Sequence, residues 1–206
     1  RVTIQLLAHG IVPFTLEMDN YFVDREQTPK DEHGKLNFES IDALNRKQLS
    51  EDLLSLISGK EVRLPKYDFI SGVSVPGDVV RLSKSEIIIL EGIHGLNPAL
   101  MSGIPSEQTF RIYGSALTQL NLDRHNRIST TDTRLLRRIV RDARERGYSA
   151  FHTIQRWESV RMGEKRYIFP FQENADVMFN SALAYELSAL KPFAEPLLRQ
   201  VPYGTP

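Results

Sequence analysis

The stretch Ile87-Ile88-Ile89-Leu90-Glu91-Gly92 decides the fold. Four consecutive large aliphatic side chains leave no polar face for solvent, the pattern of a central parallel strand buried on both faces. The run ends in a carboxylate and a glycine, so Glu91 stands where such a strand gives way to a loop. Upstream, Phe14 to Met18 alternates apolar and polar residues and reads as a second strand ending at Asp19. Between these strands, Ile41 to Ser58 carries Leu44, Leu49, Leu53, Leu56 and Ile57 at helical spacing, with Gly59 as its stop. Arg1 to Ala8 reads as another helix, with Val2, Leu6, Ile4 and Leu7 toward one side and Gly10 as its stop.

The rest of the chain continues the alternation. Asp24 to Lys35 is polar and punctuated by Pro29 and Gly34, a loop. Lys60 to Leu82, rich in Val and aromatic residues and broken by Pro65, Gly72, Pro76 and Gly77, predicts a β-ribbon. Phe110 to Tyr113 and Asp176 to Phe179 are further short strands. The order of strands and helices predicts an α/β fold, a doubly wound parallel sheet flanked by helices, with ligands at the strand C-termini.

At 206 residues the chain is long enough for one large domain with a real core. Hydrophobic residues make up 41% and charged residues 25%, which argues against disorder and coiled coil. Lys and Arg total 26 and so do Asp and Glu, so no global field recruits DNA or an anionic membrane, and any anion binding is local. With no cysteine there is no disulfide and no thiolate chemistry. Apolar runs are too short to cross a bilayer, and nothing resembles a signal peptide, which predicts a cytoplasmic protein. Arg1 is not a start Met, and Pro202 to Pro206 reads as a loop leading onward, so a chain truncated at both ends is expected.

Three features carry chemistry. Asp19 and Glu91 are carboxylates at strand ends, which in one sheet open onto the same crevice. One can act as general base and the other on the metal side when a hydroxyl attacks a phosphoryl group held by Mg²⁺. Each alone reads equally as a helix cap or a solvated turn residue. Second, Arg124, Arg127, Arg134, Arg137, Arg138, Arg141, Arg144 and Arg146 concentrate in one segment. Thr130, Thr131 and Asp132 supply caps for a helix there, and Leu136, Ile139, Val140 and Ala143 a buried stripe. Arg134, Arg137, Arg138 and Arg141 share a face of that helix. Asp132, Asp142 and Glu145 leave most of them unneutralised, so phosphate binding by the planar guanidinium forks is favoured over a merely solvated helix face. Third, Tyr67 and Phe69 stand at alternate positions of the ribbon, able to clamp a planar ligand or simply to fill a core. Among the histidines, His94 follows Glu91 closely enough to line the crevice, His9 and His33 read as surface residues and His125 as a loop residue, and no pair has metal-ligand spacing. Trp157, Tyr167, Phe169 and Phe171 read as packing at the base of the arginine-rich segment.

Taken together, MDNYFVDR (18–25), LNFESIDAL (36–44), LPKYDFIS (64–71), IILEGIHG (88–95) and TDTRLLRRIVRDARERG (131–147) resemble, in order, the signatures of the uridine kinase and phosphoribulokinase family, most closely its bacterial uridine-kinase-like branch. The resemblance implies a single P-loop-kinase-like domain with a small β-ribbon at about 60–82 and an arginine-rich helical lid at about 123–172. It implies transfer of the ATP γ-phosphoryl group, with Mg²⁺, to the 5′-hydroxyl of a nucleoside such as uridine or cytidine. Matched by position, Asp19 accepts the hydroxyl proton and Glu91 lies near Mg²⁺. Glu39 stands where uridine kinases hold the ribose with an Asp, and Tyr67 and Phe69 flank the base. Arg134 faces the substrate, while Arg137, Arg138 and Arg141 belong to the lid over the triphosphate. A homo-oligomer is compatible with the resemblance.

The sequence also departs from that pattern. No G-x-x-x-x-G-K-S/T occurs: Gly72 to Gly77 has the glycine spacing but continues into Asp78 and Val79. In the family that loop precedes the helix before MDNYF, so truncation upstream of Arg1 is the expected reason. The ribbon His that reads a pyrimidine is Gly72 here, and a lid Gln that helps it is His152, which leaves the acceptor base open. Two functions therefore stand side by side: a kinase of a nucleoside or another sugar or alcohol, and a non-catalytic nucleotide or RNA sensor that keeps the fold.

Overall fold

The computed structural model describes residues 2–83, 85–100, 103–117, 124–125 and 129–205. Arg1, Arg127 and Pro206 lie outside the described residues. The chain divides into two compact units, one formed by residues up to 110 together with 165–174, the other by 111–164 and 175–206.

The first unit opens with helix α1, Val2–Ala8, closed by Gly10 at φ 76°. Its apolar side is not covered: Val2, Ile4 and Leu7 are exposed, and only Leu6 is half-buried. Strand β1, Val12–Glu17, follows, and the chain then tightens into a 3-10 turn, Met18–Tyr21. Asp19 thus sits in the turn beyond the strand, which starts and stops earlier than the alternation predicts. The long helix expected from Ile41 is also two pieces. Ile41–Ala43 is a single 3-10 turn, Leu44 bridges to Phe22, and helix α2 runs only from Arg46 to Ile57. Asn45 causes the break, because its side chain accepts from the Gln48 amide and starts a new helix. Leu49, Leu53 and Leu56 form its buried stripe, while Ile57, rotated 100° beyond Leu56, is 50% exposed.

Strands β2, Val62–Asp68, and β3, Val73–Val80, pair antiparallel as the ribbon, with the register shifting between Arg63 and Pro65. Strand β4, Glu86–Glu91, pairs parallel with β1, Val12 opposite Glu86 and Glu17 opposite Glu91. The burial expected of β4 on both faces is not found. Ile88, Ile89 and Leu90 are only partly covered and Ile87 is 40% exposed, because β1 is its one partner among the described strands. The core gathers between β1, the turn after it, α2 and the ribbon: Leu16, Met18, Tyr21, Phe22, Ala43, Leu44, Leu49, Leu53, Tyr67 and Leu100.

In the second unit β5, Ile112–Ser115, and β6, Val177–Asn180, form another parallel pair. Helix α3, Thr130–Glu145, packs against α4, Ala150–Gln155, and α6, Glu186–Leu198. Helix α5 spans Trp157–Tyr167. The chain is therefore α/β with parallel strand pairs. The six described strands form three separate two-stranded sheets, where the sequence pattern predicted one doubly wound sheet.

Candidate active site

The parallel register of β1 and β4 brings two carboxylate-bearing chain ends to the same edge. Glu17 faces Glu91 across the last pair, and Asp19 follows two residues on. Met18 and Tyr21, each 1% exposed, anchor the turn from below, which leaves Asp19 half-buried between them. Asn20 ties the same turn to both neighbours: its amide donates to Glu17 at 3.3 Å, and its oxygen accepts from the Tyr67 amide at 3.2 Å. The loop after Glu91 presses on the turn through glycine. A Cβ on Gly92 would lie 2.6 Å from the Met18 Cβ, and one on Gly95 3.4 Å from the Met18 Cε.

Below the turn, the Tyr21 hydroxyl donates to Asp52 at 3.1 Å. Burial, with the Asp52 carboxylate beside it, raises the Tyr21 hydroxyl far above its ordinary value. Burial also raises Asp52, against the lowering effect of the Tyr21 hydrogen bond. His94 does not line a crevice as its place after Glu91 suggested. It is 2% exposed and packs edge-on against Tyr167, ring centroids 6.0 Å apart. Tyr167 therefore belongs to the first unit's packing and not to the base of a lid. Burial pushes His94 down to about 4, opposed by the backbone of Glu39 and Ser40 and by the Asp19 and Asp42 carboxylates. His9, His33 and His125 are exposed.

Glu39 is half-buried, its amide donating to the Asn37 side chain at 3.2 Å. Tyr67 and Phe69 do not form a parallel clamp. Their rings meet edge to face at 77° and 5.2 Å, and both contact Phe22. Tyr67 is 4% exposed and part of the core, with Phe69 partly buried against it. Beside them, Arg25 donates to the Phe69 carbonyl at 2.8 Å and to the Ile70 carbonyl at 3.4 Å. Its guanidinium covers Gly72, where φ is 76° and a Cβ would lie 2.5 Å from Nε. Gly72 is thus required both by the turn and by Arg25.

The arginine helix departs most from expectation. Its cap is Ser129, which accepts from the Thr131 and Asp132 amides, and not the three residues after it. The buried stripe is partly polar: Thr133, Ile139 and Asp142. The arginines are not left without counter-charge. Arg134 pairs with Glu164, and Arg137 with Glu186 and the Ser181 carbonyl. Asp142, 5% exposed at its side chain, collects Arg141 at 2.9 Å, Arg138 at 3.4 Å and Arg146 at 3.9 Å. Counting only acids inside the segment missed Glu164 and Glu186, which arrive from distant positions. His152 is exposed on α4, and its Nδ1 lies 2.9 Å from the Ser149 hydroxyl.

Among the described residues no group of three or more His, Asp and Glu side chains is arranged to hold a metal. A divalent ion bound mainly by nucleotide phosphates needs only one or two carboxylates, and the hard oxygens of Glu91 at the strand end fit that chemistry. No helix among the described residues is long and apolar enough to cross a membrane.

Comparison with known proteins gives a consistent picture. The model of the phosphoribulokinase / uridine kinase family matches residues 8–188. A uridine kinase of Halobacterium salinarum is 28% identical over 165 residues, 79% of this chain and 65% of that protein. The chain thus spans just under two thirds of that relative. A uridine kinase of Chloroflexus aurantiacus is 29% identical over 180 residues, 87% of this chain and 75% of its own length. In three dimensions, the structure described as a possible uridine kinase from Bacillus stearothermophilus superposes with a TM-score of 0.51 at 18% identity, covering 87% of this chain and 78% of that one.

Proposed function

Because this chain belongs to the phosphoribulokinase/uridine kinase family, we propose that it is an ATP-dependent kinase that phosphorylates a hydroxyl group of a nucleoside-like acceptor, the 5′-hydroxyl of a uridine- or cytidine-like molecule. The observation that carries this reading is the shared edge of β1 and β4, from which Asp19 and Glu91 both emerge. Asp19 takes the proton of the acceptor hydroxyl as its oxygen bonds to the γ-phosphorus, and the bond to the β-phosphate oxygen breaks to release ADP. Glu91 would hold Mg²⁺, which supplies charge neutralisation between the phosphates. Glu39 holds the sugar, and Tyr67 and Phe69 wall the base by an edge and a face. By the family resemblance, Arg134 and His152 are assigned to acceptor binding and Arg137, Arg138 and Arg141 to phosphate binding, where phosphate oxygens would have to displace their present carboxylates. We read the chain as one kinase-like domain of a cytoplasmic protein with an arginine lid, acting on small molecules and not on DNA or membranes.

The test is Asp19→Asn in the full-length protein, assayed with Mg·ATP and nucleosides. The amide keeps the shape but cannot take the proton, and loss of a positioned base slows transfer by about 10² to 10⁴. Near-normal turnover removes Asp19 from this role. Nucleotide binding by the wild type with no transfer to any acceptor favours the sensor reading.

A further inference from the structure

The residues that flank Asp19 in its 3-10 turn are each fixed to a different element. Met18 packs against Gly92 and Gly95 of the loop after β4, and the Tyr21 hydroxyl donates to Asp52 of α2 at 3.1 Å. Asn20 reaches the ribbon: its side-chain oxygen accepts from the Tyr67 amide at 3.2 Å, while its nitrogen donates to Glu17 at 3.3 Å. These two bonds need opposite polarities on one short side chain. An Asp here would set a second carboxylate against Glu17, and an apolar residue would remove the acceptor from the Tyr67 amide. Farther along, the same segment is held to the ribbon tip without Asn20. The Ser74 amide donates to Asp24 at 2.8 Å, and the Arg25 amide to the Gly72 carbonyl at 2.8 Å. Loss of Asn20 would therefore leave the ribbon attached. What Asn20 adds is a tie at the near end, one residue from Asp19.

We propose that Asn20 is a positioning residue of phosphoryl transfer: its amide locks the Asp19 turn to the ribbon strand, so that an acceptor resting on Tyr67 and Phe69 presents its hydroxyl to Asp19 at a fixed distance. The proposal rests on the kinase reading of Asp19 and of the ribbon. In this role Asn20 touches neither acceptor nor nucleotide and acts through Asp19. A misplacement of about 1 Å between a base and the hydroxyl it serves is enough to cost about 100-fold in rate.

The test uses the full-length protein with Mg·ATP and whichever common nucleoside it phosphorylates. Asn20→Ala should lower kcat about 10- to 100-fold and leave the KM for ATP within about twofold of wild type. In an Asp19→Asn background the same substitution should slow the residual transfer less than about twofold, because no base is left to position. A merely structural loss would slow both backgrounds alike. In the unsubstituted protein, hydrogen exchange at the Tyr67 amide should slow about threefold or more when the nucleoside saturates it, a readout that survives even if Asn20→Ala fails to fold. Wild-type kcat in Asn20→Ala, an equal loss in the two backgrounds, or unchanged exchange at Tyr67 overturns the proposal. If Asp19→Asn is slow while Asn20→Ala turns over normally, only this proposal falls. If the wild type phosphorylates no hydroxyl acceptor, the kinase reading and this proposal fall together.

Discussion

Gly92 lies so close to Met18 that even a methyl group on its Cα would meet the Met18 Cβ at 2.6 Å and its Sδ at 2.7 Å. This contact joins the end of β4 to the turn holding Asp19, and the Met18 Cβ is fixed to the backbone, so it cannot swing aside. Gly92→Ala should therefore destabilise the protein by about 1–3 kcal/mol, the usual cost of overpacking. It should also slow phosphoryl transfer by displacing Asp19. Urea denaturation and a kinase assay on the same variant check both effects, and unchanged stability would show that the contact is slack.

His94 makes stability depend on pH in a defined window. Its folded value of about 4 lies below the ordinary 6.5, so above pH 6.5 the ring is uncharged in both states and adds no pH dependence. As pH falls from 6.5 toward 4 the unfolded chain binds a proton that the folded one refuses, and stability is lost. The full loss is about 3 kcal/mol at 1.36 kcal/mol per unit. Urea unfolding at pH 7 and pH 4.5 should show most of this loss in the wild type and much less of it in His94→Gln.

Arg137 and Glu186 form a partly buried pair, their side chains 34% and 12% exposed. Because the arginine still meets solvent, a double-mutant cycle through Arg137→Ala and Glu186→Ala should return a coupling of about 1–2 kcal/mol, between the surface and buried limits. If Arg137 also serves the nucleotide, phosphate must compete with Glu186. Glu186→Gln should then tighten ATP binding while Arg137→Ala weakens it, with nucleoside affinity level in both. Calorimetry on the two variants separates a phosphate ligand from a purely structural arginine.

The 206 residues contain no glycine-rich phosphate loop followed by Lys, and the arginines already have carboxylate partners. Backbone amides of such a loop supply many of the contacts that hold a triphosphate. This chain by itself should bind Mg·ATP no more tightly than the millimolar range, roughly 4 kcal/mol. Titration calorimetry on the 206-residue chain measures it directly, and micromolar affinity would reveal a phosphate site elsewhere in these residues.

Local pattern was enough wherever a residue's partners lie within a turn or two of chain. Leu49, Leu53 and Leu56 repeat at helical spacing and are all buried. Gly10 and Gly59 stop their helices in the left-handed conformation that glycine adopts without strain. The ribbon was readable from its Val and aromatic content between turn residues, and the place of Glu91 at a strand end from the apolar run before it. Local pattern could not set where a strand yields to a turn, because Met18 is equally apolar in either, and it could not show that Asn45 restarts the helix.

What only the tertiary structure decided are relations between residues far apart in the chain. Parallel pairing with no slip puts Glu17 opposite Glu91 and so brings Asp19 to the same edge, a register that neither strand encodes alone. Glu164 and Glu186 neutralise Arg134 and Arg137 from 30 and 49 residues away, so a count of nearby acids made the arginines look free. His94 reads as a crevice residue by its spacing from Glu91, yet its burial depends on where Met18, Ser40 and Tyr167 come to lie. Spacing along a chain reports which way a side chain starts out. The dielectric around it, and the charge it meets, are set by the segments that fold over it.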